Sequence, residues 1–291
     1  MMKVEVFAPA KINLALHVTG QRADGYHLID SLVGFAAFGD MLRLSPAEMP
    51  EIIVSGSEAA GVPSDASNLA LRASARAAAG VPVSIALEKR LPAASGIGGG
   101  SADAAAVLRG LCALGARLSD TDLAAAALEL GADVPMCLDP VPSRVRGIGE
   151  DLTPVKLPGL PCVLVNPRVA VSTPGVFARL QTRANPGLTP SPVGWYGVTE
   201  FVHWLGRQRN DLQPPACALA PVIGEVLEAI SLAPDCLLSR MSGSGATCFG
   251  LYETEASAKA AAERLLADHP EWWIQATVLD DQSSRSAPRP V

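Results

Sequence analysis

Pro92-Ala93-Ala94-Ser95-Gly96-Ile97-Gly98-Gly99-Gly100-Ser101-Ala102 separates an apolar run that alternates like a strand, residues 83–87, from a stretch of helical period, residues 101–114. Ala104, Val107, Leu108, Leu111 and Leu114 fall on one face of that predicted helix, with Ser101 as its expected N-cap and Asp103 in its first turn. Glycines at 96, 98, 99 and 100 let backbone N–H groups converge on an anion, and the free N–H groups and dipole of a following helix favour negative charge. Such a loop can cradle phosphate without a lysine cluster. A plain connecting turn would need fewer glycines.

Two familiar phosphate loops are excluded. The Walker pattern requires Lys-Ser/Thr after its last glycine, and the dinucleotide fingerprint requires a glycine where Ser101 stands. A second glycine segment, Met241-Ser-Gly-Ser-Gly-Ala-Thr-Cys-Phe-Gly250, could add backbone donors or be a tight turn; its sequence alone does not decide.

Outward from the loop, the chain opens with strands and acquires helices later. Residues 4–7 are apolar, and in residues 12–19 Ile12, Leu14, Leu16 and Val18 alternate with Asn13, Ala15, His17 and Thr19, which predicts a half-buried strand. Lys11 falls on the Asn13 side. Asp24-Gly25 marks a turn, and strands are expected at 31–35, 41–44 and 52–55. An alanine-rich helix at 68–79 should end at Gly80, and another at 120–130 at Gly131, which leaves Asp133 on a turn before Pro135.

With 291 residues and domains of roughly 100–200 residues, length suggests two domains but also allows one large α/β domain; the preferred division is 1–155 and 156–281, in the proline-rich stretch 153–161. A strand at 162–165 opens the second, a long loop is expected at 185–197, and residues 282–291 read as a disordered tail.

A charged fraction of 18% and net charge of −6 give no basic excess, so no nucleic-acid partner is expected and an anion must be met locally. Six cysteines without a C-x-x-C pair indicate reduced core thiols. Four histidines lack zinc-enzyme spacing, and there is no G-x-S-x-G elbow. Charges near the N-terminus and the lack of a long apolar run predict a cytoplasmic protein without a membrane partner. A monomer and a homodimer are not distinguished.

Phosphoryl transfer needs held phosphates, neutralised charge and an oriented or deprotonated hydroxyl. Lys11 and Asp133 could supply the last two, the ammonium favouring an ionised carboxylate that accepts the hydroxyl proton. A lysine beside a strand and an aspartate after a helix are more often solvated surface charges, so spacing alone does not pair them.

Pro9-Ala-Lys-Ile-Asn-Leu14, residues 95–105, Gly131-Ala-Asp-Val-Pro135 and Ser242-Gly-Ser-Gly-Ala246 resemble, in order and spacing, the motifs of the galactokinase, homoserine kinase, mevalonate kinase and phosphomevalonate kinase superfamily. Gly20-Gln-Arg-Ala-Asp-Gly-Tyr-His27 is similar to the branch that phosphorylates the 2-hydroxyl of a cytidyl-diphosphate sugar alcohol in the non-mevalonate isoprenoid pathway. The resemblance implies a two-domain α+β fold with a left-handed βαβ crossover in the N-terminal domain, a ferredoxin-like C-terminal domain and the active site between them.

It also implies that Lys11 and Asp133 are catalytic, that residues 92–102 bind ATP phosphates with Asn68 near the adenine, and that Ser101 contributes to Mg²⁺ binding. Asn13 would hold the sugar-alcohol end, and Tyr26 and His27 the cytosine. The loop departs from the family pattern at Ala93-Ala94-Ser95, where more glycine is usual, and at Ala102, where a second serine is common. No second-domain residue is assigned a role. Another kinase of the superfamily, or a non-catalytic nucleotide sensor on the same fold, stays open, although the presence of both Lys11 and Asp133 argues against a sensor.

Overall fold

The computed structural model describes residues 2–77, 82–190 and 194–291. Two long strands carry it: β1 (Val4–Gln21) and β2 (His27–Pro46) pair antiparallel along almost their whole length, turning at Gly25 with φ +93°. Pro9 does not interrupt β1. The ladder instead shifts register between Pro9 and Lys11, and a bulge is where a strand tolerates a proline without a donor.

The half-buried strand expected at 12–19 is buried on both faces through Val18. β1 enters three clusters of core side chains in turn, through Val6 and Ala8, then Ile12 and Leu14, then Leu16 and Val18. Its polar residues Lys11, Asn13 and His17 are therefore buried too.

In the first half, β3 (Glu51–Ser55) and β4 (Val83–Glu88) pair in parallel around α1 (Leu69–Ala77), a βαβ unit, while β4 also pairs antiparallel with β2. The helix end expected at Gly80 lies outside the described residues. Next come α2 (Gly99–Ala113), α3 (Asp120–Leu130) and α4 (Val134–Leu138), then the hairpin β5 (Ser143–Gly147) and β6 (Asp151–Pro154).

Helix α2 begins two residues earlier than the periodicity predicts, capped by the backbone of Gly98 at φ +66°, so Ser101 is not its N-cap. Asp103 is consequently beyond the first turn, and it is buried. Helix α3 starts in a capping box between Ser119 and Asp122 and ends at Gly131, which delivers Asp133 to the start of α4.

The second half contains β7 (Leu160–Asn166), α5 (Thr173–Ala178), α6 (Val198–Leu205), α7 (Gln213–Leu219), α8 (Val222–Leu232), β8 (Leu238–Met241), β9 (Cys248–Leu251), α9 (Glu255–Asp268) and β10 (Trp273–Asp280). Its antiparallel order β10-β7-β9-β8 is that of a ferredoxin-like βαββαβ unit. Leu279 and Asp280 of β10 also pair with Ala36 and Phe35 of β2, so one sheet runs through both halves. The expected domain cut at 155/156 falls between β6 and β7. All six cysteines are free, and no helix among the described residues is long and apolar enough to cross a membrane.

The expected disordered tail is instead docked. After Gln282 come α10 (Ser283–Ser286) and β11 (Arg289–Pro290), which pairs with Val4 and Glu5 at the start of β1. The polar composition that suggests disorder is satisfied by contacts that only the folded chain provides. The Arg285 guanidinium lies 4.3 Å from the centre of the Phe7 ring, and the half-buried Arg109 donates to the Ser286 carbonyl.

Deleting residues 282–291 should lower unfolding free energy by roughly 2–3 kcal/mol, the sum of a few hydrogen bonds near 1 kcal/mol each and one cation–π contact. Urea unfolding of the truncated chain tests this, and an unchanged midpoint would show that the segment adds nothing.

Candidate active site

The glycine loop is fixed from two sides. From β1, the Lys11 amide donates to the Ile97 carbonyl at 2.9 Å. From the second half, the turn between β8 and β9 docks on it: Ser242 Oγ donates to the Gly96 carbonyl at 3.1 Å, and the Thr247 amide to the Ser95 carbonyl at 3.1 Å. Gly96 has φ +76°, and a Cβ there would stand 2.6 Å from the Gly245 carbonyl oxygen. The second glycine segment is thus the seat of the first, and the Asn13 amide donates to the same Ser242 hydroxyl at 3.0 Å.

Lys11 is 4% exposed, and its ammonium lies 2.8 Å from Asn13 Oδ1 and 3.0 Å from Asp133 Oδ2. Asn13 is oriented in turn by its Nδ2 donating to Ser31 Oγ at 2.8 Å. Asp133, less buried, reaches the pair from the start of α4, whose last carbonyls, at Cys137 and Leu138, accept from Arg109. The Lys11 stem packs against Gly98, where a Cβ would come 3.1 Å from Lys11 Cε.

A second buried charge cluster supports the loop from behind. Lys89 bonds both Asp40 and Asp103, all three buried, and Asp40 also accepts from the amides of Arg90 and Leu91. Burial pushes the Asp103 carboxyl up, to about 8, and its Oδ1 has no partner. Lys89 continues the inward phase Val83, Ile85, Leu87, a signal present in the sequence.

Both lysines line one cavity of about 1130 Å³, which also takes in the glycine loop, Asp133, Asn68, Ser101 and, at its other end, Tyr26 and His27. Tyr26 is 59% exposed on the turn between β1 and β2. His27 stacks on Phe177 of α5 with ring centres 4.6 Å apart, and its buried Nε2 has no partner. Burial, then the nearby Arg183 charge, lowers the His27 pKa, so the ring is neutral at neutral pH.

Asn68 lines the cavity but its amide is engaged locally, Oδ1 accepting from the Ala70 amide at 2.9 Å and Nδ2 donating to the Pro63 carbonyl at 2.7 Å. It caps α1 and shapes the wall. Phe177 carried no sequence signal, since its pairing with His27 arises only when α5 meets the β1–β2 turn.

Residues 37–139 match the model of the GHMP kinases N terminal domain, and residues 199–271 that of the GHMP kinases C terminal. The chain belongs to the GHMP kinase family. It is 53% identical over 98% of its length to a Roseobacter denitrificans protein, 97% of which is covered, named 4-diphosphocytidyl-2-C-methyl-D-erythritol kinase. A Dinoroseobacter shibae protein of the same name is 58% identical, with 94% of each chain covered. The crystal structure of a 4-(cytidine 5'-diphospho)-2C-methyl-D-erythritol kinase superposes with TM-score 0.77 at 35% identity, covering 95% of this chain and 99% of that one. A homoserine kinase from Cytophaga hutchinsonii shares the fold, with TM-score 0.69 at 20% identity over 99% and 97% of the two chains. This GHMP kinase is an ATP-dependent phosphotransferase.

Docking of the two glycine segments gives a stability test. Gly96→Ala meets both a left-handed φ and the Gly245 carbonyl and should cost about 2 kcal/mol or more. Gly100→Ala meets nothing within 4 Å and should leave stability unchanged or up to ~1 kcal/mol higher. Equal urea midpoints for the two variants would refute the docking.

Proposed function

We propose that this kinase transfers the γ-phosphoryl group of Mg-ATP to the 2-hydroxyl of 4-diphosphocytidyl-2-C-methyl-D-erythritol, giving the 2-phosphate and ADP. The product would feed isoprenoid precursor synthesis by the non-mevalonate route. The observation that carries the reading is the Lys11–Asp133 pair standing in one cavity between the glycine loop and the His27–Phe177 stack. The names of the relatives fix which acceptor is meant.

In this reading residues 92–102 hold the nucleotide phosphates on backbone N–H groups at the start of α2, and the wall around Asn68 receives the adenine. Tyr26, His27 and Phe177 hold the cytosine, two aromatic groups and an imidazole suiting a flat base with a polar edge. Asp133 accepts the proton of the attacking hydroxyl, while Lys11 fixes that carboxylate and places positive charge beside the transferred group. Asn13, which lines the cavity, holds Lys11 through Oδ1 and would help hold the sugar-alcohol end of the acceptor.

Mg²⁺ arrives with the nucleotide as part of the substrate. The ion would be held chiefly by phosphate oxygens. The Ser101 hydroxyl, in the first turn of α2 on the cavity wall, would join it.

Wild-type protein with ATP, Mg²⁺ and the acceptor should release ADP and form a new 2-phosphate monoester, identified by phosphorus NMR. Asp133→Ala should cut turnover by about 10²–10⁴-fold while ATP still binds. Near-normal turnover would remove Asp133 from the base role. Tyr26→Ala should weaken the acceptor by roughly 1–3 kcal/mol if a base stacks there, read as a raised KM, and an unchanged KM would reject the contact.

A further inference from the structure

The charged side chains on the cavity wall are Lys11, Asp24, Lys89, Asp103, Asp133 and Arg183. Two of the three cations are committed: Lys11 is ion-paired with Asp133, and Lys89 with Asp40 and Asp103. Among the described residues, no carboxylate lies within ion-pairing distance of Arg183. Its Nη1 reaches only Gln21 Oε1, at 3.4 Å, and the Gln21 amide holds the Gly25 carbonyl of the turn that carries Tyr26 and His27. The guanidinium is therefore unpaired, solvent-exposed and tied to the aromatic end of the cavity.

The acceptor assigned above carries its own diphosphate, between a cytosine that belongs at His27 and a hydroxyl that belongs at Asp133. The backbone donors of the glycine loop are taken by ATP. A chain with net charge −6 offers no general attraction for this second anion, so a local cation has to meet it.

We propose that Arg183 binds the diphosphate bridge of the acceptor and so makes the site select a cytidine diphosphate over cytidine. This rests on the function proposed above and adds a specificity-determining residue to it. A guanidinium presents a planar fork of N–H donors that fits phosphate oxygens, which a mobile ammonium does not. Because Arg183 is exposed, its contribution is moderate and falls with salt. Its charge stabilises the bound acceptor without touching the transferred phosphoryl group, so it acts on acceptor binding more than on turnover.

The test uses the whole chain and two simple probes, cytidine and CDP, titrated calorimetrically into wild type, Arg183→Ala and Arg183→Lys, with KM and kcat for acceptor and ATP measured alongside. Wild type should bind CDP about 10-fold or more tightly than cytidine, as expected for a charge-assisted contact. Arg183→Ala should abolish most of that preference and raise the acceptor KM by a similar factor, with cytidine affinity, KM for ATP and kcat little changed. Arg183→Lys should restore part of it, and added salt should shrink the wild-type preference but not that of Arg183→Ala.

A preference for CDP that survives Arg183→Ala would overturn the inference, as would wild type binding cytidine and CDP equally; both results leave the cytosine site standing. Wild type that binds neither probe and shows no acceptor-dependent ADP release would instead overturn the proposed function, and the inference with it.

Discussion

A buried ammonium group must be paired, because leaving its charge uncompensated away from water costs several kcal/mol. Lys11 is such a group, and most of the site can be traced to what it requires. Its Asn13 partner needs Ser31 on β2 to fix the amide. Its Asp133 partner needs α3 to stop at Gly131 and α4 to be held by Arg109. Its stem needs Gly98 to lack a side chain. A slip of one residue in β1 would turn Lys11 to the opposite face and leave all three without purpose.

The same economy governs the anions. In the proposed reading an acidic protein receives phosphate on backbone dipoles, and glycine at 96, 98 and 99 would be the means. The nearby lysines are not free phosphate ligands, since carboxylates hold both. Lys89 sits 3.1 Å from where a Gly99 Cβ would be, so the cluster with Asp40 and Asp103 braces the loop against β2 and β4.

Much of this was legible in the chain. Period-two alternation put Lys11 and Asn13 on one side, and Gly131 with Pro135 placed Asp133 on a turn. That the lysine and the aspartate meet was implied only by resemblance to the kinase superfamily, because contacts between residues so far apart in sequence leave no local periodicity. Asn68 also closes the first turn of α1 through its Oδ1, a capping role that its place just before the helix already suggests. Residues 282–291 misled because their polar composition is what a disordered tail also has; Arg285 and Ser286 find partners only in the folded structure.

The arrangement of the two glycine segments also bears on how a reaction would proceed. Residues 95–97 belong to one half of the chain and residues 242–247 to the other, yet they are joined by hydrogen bonds and by a contact at Gly96 that leaves no room for a methyl group. A sheet shared by both halves holds them in register as well. A hinge that opened widely between the halves would break these contacts. The cavity is larger than one drug-sized ligand needs, and it contains both the glycine loop and the aromatic pair. Donor and acceptor can therefore be bound together, and a rigid frame that keeps both near Asp133 favours direct transfer between them over a covalent phosphoenzyme.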